Sequence, residues 1–216
     1  MRYVKAVIVL ALAVCALSAA SAQAALPEFS GTVPSAGKAK STKPKFENEG
    51  SSLLVECAES EGTLEVKTVK GGTFDELFLG CEAVLNKTKL GKCTGLTDTV
   101  TGSILATGSF VLGFELGNLL PVVALSVTTL HFECPLGTLV TVEGCLVGTT
   151  TLTKGLTGTL GFEGAAGVQK FLDYTNDAGT MVACKLQSSV NGAAAKPSDQ
   201  VQTANLTFTK ELGVLD

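Results

Sequence analysis

From residue 51 onward the chain alternates apolar and polar positions in short stretches. Leu53, Val55 and Cys57 alternate with Ser52, Leu54 and Glu56, and Leu64 and Val66 with Thr63, Glu65 and Lys67. Val140 and Val142 flank Thr141, next to Glu143. The clearest stretch sets Ala204, Leu206 and Phe208 against Thr203, Asn205, Thr207 and Thr209. A period of two sends successive side chains to opposite faces of a sheet, so each stretch predicts a strand with one buried and one wetted face. Thr and Val, both β-branched, dominate these runs and suit a pleated surface. The 24 glycines fall between and within them, where turns and bulges are needed.

No stretch beyond the N-terminal segment reads as a convincing helix. Leu116 to Val127 is apolar enough, but Gly117, Asn118 and Pro121 break it, so the pattern predicts a turn and then a strand from about Val122. One short helical turn is expected near Asp75-Glu76-Leu77. Many short strands with Gly-rich turns predict an all-β fold, an antiparallel β-sandwich or barrel-like domain.

The N-terminus has a different pattern. Arg2 and Lys5 precede an uncharged apolar run, Ala6 to Ala16, and Ala22-Gln23-Ala24 has the small-x-small form that a signal peptidase accepts. That order is the signature of a secretory signal peptide over residues 1–24, cleaved after Ala24. The run falls short of the roughly 20 apolar residues of a spanning helix, and no later segment is longer, so no transmembrane span is expected. Residues 25–50 hold Pro27, Pro34 and Pro44 and the cluster Lys38, Lys40, Lys43 and Lys45, which reads as a flexible leader. The cluster is either a solvated tail or a contact for an acidic cell-wall polymer. The folded domain is then expected over 51–216.

Export changes the meaning of the cysteines. Cys15 leaves with the signal, and of seven cysteines six remain: Cys57, Cys81, Cys93, Cys134, Cys145 and Cys184. An even count in an exported chain predicts three disulfides. There is no C-x-x-C motif to suggest zinc or redox chemistry. Glu56-Cys57…Gly62-Thr63-Leu64…Gly80-Cys81 is echoed by Glu133-Cys134…Gly137-Thr138-Leu139…Gly144-Cys145, suggesting two similar halves, 51–127 and 128–216. Three cysteines per half force an odd number of bridges between halves. The expected set is a local clip Cys81–Cys93, with Cys145–Cys184 and with Cys57–Cys134 joining the equivalent strands.

These spacings carry a resemblance. Leu54 to Cys57, Leu79 to Cys81, Lys92 to Thr94, Thr101 to Ile104, His131 to Cys134 and Val142 to Cys145 stand in an order that resembles a set of uncharacterised secreted actinobacterial proteins. The resemblance implies a bacterial exported β-domain and brings no activity, cofactor or site residue with it.

Charge and composition narrow the function classes. The chain after residue 24 has 14 lysines against 20 acidic residues. Nucleic-acid binding needs a cationic face, so no nucleic-acid partner is expected. With no Trp and two Tyr, an aromatic sugar platform or the girdle of an outer-membrane barrel is poorly supplied. The single His131 lies in a strand pattern opposite Leu130 and Phe132 and reads as a structural or surface residue; no G-x-S-x-G elbow accompanies it. Zinc lacks ligands. Asp173, Asn176 and Asp177 could face calcium but read more simply as a turn-rich loop. No catalytic residue, metal site or cofactor is therefore expected. The leading reading is a secreted or cell-envelope protein with a structural, adhesive or binding role. The alternative is a hydrolase acting on a glycan through paired carboxylates drawn from Glu56, Glu59, Glu61, Glu65, Asp75 and Glu76. N-terminal sequencing of the exported protein is expected to begin at Ala25; an intact Met1 would contradict the signal-peptide reading.

Overall fold

The computed structural model describes residues 27–50, 53–115, 120–152, 155–176 and 178–215. The expected signal peptide with Cys15 and Ala24, the expected turn at Gly117-Asn118, and Asp177 lie outside the described residues. The strands begin with β1 (Glu28–Gly31), β2 (Ser35–Thr42), β3 (Lys45–Asn48), β4 (Leu54–Glu56), β5 (Glu59–Thr68), β6 (Gly71–Leu79), β7 (Glu82–Leu85), β8 (Thr88–Lys92) and β9 (Thr94–Gly95). Longer strands follow: β10 (Ile104–Glu115), β11 (Pro121–Cys134), β12 (Thr138–Thr150) and β13 (Gly155–Phe162). The C-terminal part holds β14 (Gly164–Ala165), β15 (Val168–Gln169), β16 (Asp173–Thr175), β17 (Met181–Ala183), β18 (Leu186–Val190) and the 20-residue β19 (Lys196–Leu215). All pairings are antiparallel, and the all-β expectation holds.

Eight strands close into a barrel in the order β2-β5-β6-β10-β11-β12-β13-β19, with β19 returning to β2. Its interior is apolar, with Val66, Phe74, Phe110, Leu125, Leu160 and Leu206 all buried. Its outer wall is polar along β2 and β5, where Lys38, Lys40, Glu59, Glu61 and Glu65 are exposed. A barrel of eight strands is narrow enough for side chains to fill. Gly37 lies opposite Phe208 in the β2–β19 ladder, and a Cβ at Gly37 would come within 2.6 Å of the Phe208 ring. Only glycine lets that ring lie flat against the neighbouring strand.

Three barrel strands outrun the barrel and build a second sheet. Beyond the irregularity between Val127 and Leu130, β11 continues beside β9, while β12 takes β18 and β19 takes β18 and β3. From β3 the sheet extends through β4 and β7 to β8. One continuous core runs through both parts. A cavity of about 50 Å³ lies at the junction, lined by Phe46, Val55, Phe78, Phe132 and Leu186 among others. No helix among the described residues is long and apolar enough to cross a membrane.

The structure departs from the sequence reading in four places. The expected leader over 25–50 is folded from residue 27 onward: β1, β2 and β3 are integral, Phe29 packs edge-on against Phe110 and Phe46 against Phe132. Asp75-Glu76-Leu77 lies inside β6 rather than in a helical turn. Two similar halves do not separate, because β11 runs across residue 127 and β19 pairs with β2 and β3.

The fourth departure is the disulfide pairing. The bridges are Cys57–Cys81, Cys93–Cys134 and Cys145–Cys184, so the expected Cys81–Cys93 and Cys57–Cys134 do not form. Register explains this. Glu56 lies opposite Glu82, which puts Cys57 beside Cys81; Glu133 lies opposite Thr94, which puts Cys134 beside Cys93. Cys81 and Cys93 are neighbours too, with the Cys93 N–H donating to the Cys81 carbonyl at 3.0 Å, but each sulfur is taken from its other side. One bridge crosses between the proposed halves, as the odd count requires. Cys145–Cys184 fastens the 171–184 segment over the outside of the barrel, where Val122, Ala124 and Val147 form a second small apolar cluster with Phe171 and Tyr174. Replacing Cys93 and Cys134 together by serine should lower the unfolding free energy by about 2–4 kcal/mol in urea titrations. Peptide mapping of unreduced protein should recover the Cys93–Cys134 peptide pair, and a Cys81–Cys93 pair would contradict the fold.

Candidate functional site

The second sheet carries two consecutive cross-strand rows. Alternation puts them on opposite faces. Cys57, Cys81, Cys93 and Cys134 form the inner row. The adjacent outer row reads Lys45, Glu56, Glu82, Lys92 across β3, β4, β7 and β8. Glu56 and Glu82 stand directly opposite one another, an arrangement that destabilises a sheet unless cations intervene. Here they do. Lys45 Nζ is 2.9 Å from Glu56 Oε1, Lys92 Nζ is 3.0 Å from Glu82 Oε1, and Lys89 also pairs with Glu82. The ammonium groups of Lys89 and Lys92, bonding directly to Glu82, hold its carboxyl below the usual glutamate range.

Two open troughs of about 540 and 640 Å³ flank this row and share Lys45, Glu56 and Lys89. Lys43 and Lys92 line one, and Lys87, Asn86, Glu47 and Ala166 line the other. Five lysines therefore face three glutamates in a chain whose net charge is −4. Lys43 and Lys45 come from the sequence cluster singled out above. Lys38 and Lys40 of that cluster lie on β2 of the barrel wall, where Lys40 pairs with Glu61. Lys87, Lys89 and Lys92 are spread through the β7–β8 hairpin, with glycine and threonine between them, and only the fold brings them to Lys43.

The other acids singled out in the sequence do not join them. Glu59, Glu61 and Glu65 are exposed along β5, and Asp75 is exposed on β6. Glu76 points into the barrel and is 8% exposed. It belongs to a ring of side chains from four adjacent staves. Ser60 Oγ lies 2.6 Å from Glu76 Oε1 and 2.8 Å from Ser41 Oγ; Ser41 donates to Gln202 Oε1 at 3.2 Å, and Gln202 Nε2 donates to both Glu76 oxygens at 3.1 and 3.3 Å. With Glu76 ionised, the two hydroxyls have two protons for three contacts, so one contact lacks a donor. A proton on Glu76 completes the ring: Glu76 donates to Ser60, Ser60 to Ser41, Ser41 to Gln202, and Gln202 back to the other carboxyl oxygen. Burial pushes the Glu76 carboxyl upward in the same sense, against the Ser60 and Gln202 hydrogen bonds. The ring ties β2, β5, β6 and β19 together inside the barrel.

His131 is exposed, and its Nδ1 lies 3.0 Å from Thr141 Oγ1. At the calcium candidate, Asn176 Oδ1 accepts from the N–H groups of Ala178 and Thr180, each at 3.0 Å, closing a local turn. No group of three or more His, Cys, Asp or Glu side chains positioned to hold a metal occurs among the described residues. Compared with family models, curated proteins and solved structures, the chain matches none.

Sequence reasoning missed Asp199. It is fully buried on β19 opposite Glu47, beneath the β14–β15 hairpin whose tip forms one wall of the larger trough. The Gly167 N–H donates to its Oδ2 at 3.2 Å, and Oδ1 has no hydrogen-bond partner. Burial, with the charge of Glu47 nearby, pushes its carboxyl up to about 6, against backbone N–H bonds from Gly167, Glu47 and Val168. The folded value lies above the ordinary aspartate value of 3.8, so this group lowers stability as pH rises from about 4 to 6, and the loss is complete above that window. Asp199→Asn removes the charge and keeps an acceptor for Gly167. It should add about 1–2 kcal/mol at pH 7 and close to nothing at pH 4. Urea titrations across that window check it; a variant equally destabilised at both pH values would contradict the assignment.

Proposed function

We propose that this is an exported, extracellular or cell-envelope β-barrel protein that acts without catalysis, as a binding or adhesive module. The observation that carries the reading is the pair of stacked rows on the second sheet. Disulfides fix the inner row, and the outer row is an open surface of mutually neutralised lysines and glutamates. Oxidised cysteines belong to compartments outside the reducing cytosol. The N-terminal signal pattern and the resemblance to secreted actinobacterial proteins support the same compartment.

The geometry also bears on the hydrolase alternative. Glycoside hydrolysis by two carboxyls needs one that holds its proton near neutral pH. Of the pair Glu56 and Glu82 that lines the smaller trough, Glu82 is shifted the opposite way by its lysines. Of the two carboxyls shifted upward among the described residues, Glu76 faces the barrel interior and Asp199 is fully buried and lines neither trough. Support therefore falls on recognition by a rigid charged surface. The test uses protein spanning 25–216, incubated with purified cell-wall material and neutral glycans. It is expected to sediment with the wall material and to release no new reducing ends. Release of reducing ends that Glu56→Gln abolishes would overturn the non-catalytic reading.

A further inference from the structure

We propose that the lysine-lined troughs on the β3-β4-β7-β8 face bind a phosphate-rich polyanion. This deepens the binding reading above and rests on it. The first argument is charge. Five of the chain's lysines converge here although its net charge is −4. Glu56 and Glu82 fix the positions of Lys45, Lys89 and Lys92 but leave each ammonium further N–H donors, since an ammonium has three.

The second argument is backbone conformation, which is independent of charge. Six non-glycine described residues have φ in the left-handed region, and four of them, Lys43 (53°), Asn86 (49°), Lys87 (67°) and Ala166 (54°), line these troughs. Asn86-Lys87 is the two-residue turn between Leu85 and Thr88, with positive φ at both positions. Such a turn favours Asn-Gly, and here lysine holds the glycine place. A lysine placed against local backbone preference points to a role outside folding.

The third argument concerns ligand chemistry. Every cation after residue 24 is lysine, and the chain's arginine is Arg2. Guanidinium forks match carboxylates and phosphates alike through paired N–H bonds, whereas ammonium groups act as point charges that answer to charge density. Ammonium groups lining an open trough thus favour the polyanion with the most closely spaced charges, and a phosphate chain carries one on each short repeat where a polyuronate carries one per sugar ring.

Long-chain inorganic polyphosphate is the probe, titrated calorimetrically into protein spanning 25–216. Binding is expected at about 50 mM NaCl and should weaken about tenfold or more by about 300 mM, as screening dictates. Lys43→Gln/Lys89→Gln/Lys92→Gln should weaken it about tenfold, while Lys38→Gln/Lys40→Gln on the barrel wall should stay within about twofold. Polygalacturonate, a carboxylate polymer, should bind at least about fivefold more weakly. Lys87→Gly separates a folding role from a binding role: its thermal midpoint should hold or rise while polyphosphate affinity falls. Absence of binding at low salt, equal losses in the two sets of lysine variants, polygalacturonate binding as tightly as polyphosphate, or Lys87→Gly binding like the parent would each overturn the proposal. None of these outcomes bears on whether the protein turns over a glycan, which the reducing-end assay reads separately.

Discussion

The structure hangs on β19. This strand pairs with β18, β3, β13, β2 and β1 along its length, so it joins the second sheet to the barrel and closes the barrel itself. Its partner β2 lies more than 160 residues earlier. Closure therefore requires nearly the whole chain, and the loop entropy is met before the ladder forms. The rewards sit at the seam. Gly37 admits the Phe208 ring, and the Glu76–Gln202–Ser41–Ser60 ring ties β19 to three neighbouring staves. A buried polar ring of this kind is favourable only when every member is satisfied. That condition links the protonation of Glu76 to the register in which β19 docks.

The disulfides do a different job. Two of the three tie opposed residues at the ends of neighbouring strands in the second sheet. Edge strands such as β8 have few neighbours and a solvated face, and without a covalent tie they would fray. Cys57–Cys81 anchors β7 to β4, and Cys93–Cys134 anchors the β8–β9 corner to β11. What they stiffen is the platform that carries the lysines. Preorganisation matters most for ammonium groups, because each long side chain loses rotamer freedom on binding a ligand.

Legibility in the sequence followed burial pattern. Where a strand buries one face, as with Ala204, Leu206 and Phe208, alternation was plain. It vanished in two settings. In β11, Val122 to Leu125 are all buried because the disulfide-held 171–184 segment covers the barrel's outside, so the run looked uniformly apolar. In β2 the inward residues are Ser35, Gly37, Ala39 and Ser41, too small and polar to register as hydrophobic, and the outward lysines completed the impression of a solvated leader. The disulfide count was readable from the six cysteines after residue 24, taken with the expected export signal. The pairing was not, because it depends on which strands become neighbours. The same limit hid the candidate site: Lys43 and Lys45 were visible as a cluster, but Lys89 and Lys92 join them only through the β3-β4-β7-β8 order, and Asp199 gave no signal at all.

Two kinds of unfavourable arrangement thus meet on one small sheet. Glu56 faces Glu82 across a ladder, and Lys43 and Lys87 occupy backbone conformations that suit glycine. Folding alone gains from neither. Thr at the glutamate positions and Gly at the lysine positions would give a sheet with less repulsion and less strain. Each arrangement becomes intelligible if the lysine ammonium groups must stand in a fixed row at an open surface: the glutamates hold them apart, and the left-handed turns aim two more at the same troughs. The barrel, the cysteine row and the charged row then form a sequence of supports. The hydrophobic closure at β19 holds the sheet, the disulfides tie its strand ends, and the glutamates hold the cations that the proposed binding uses.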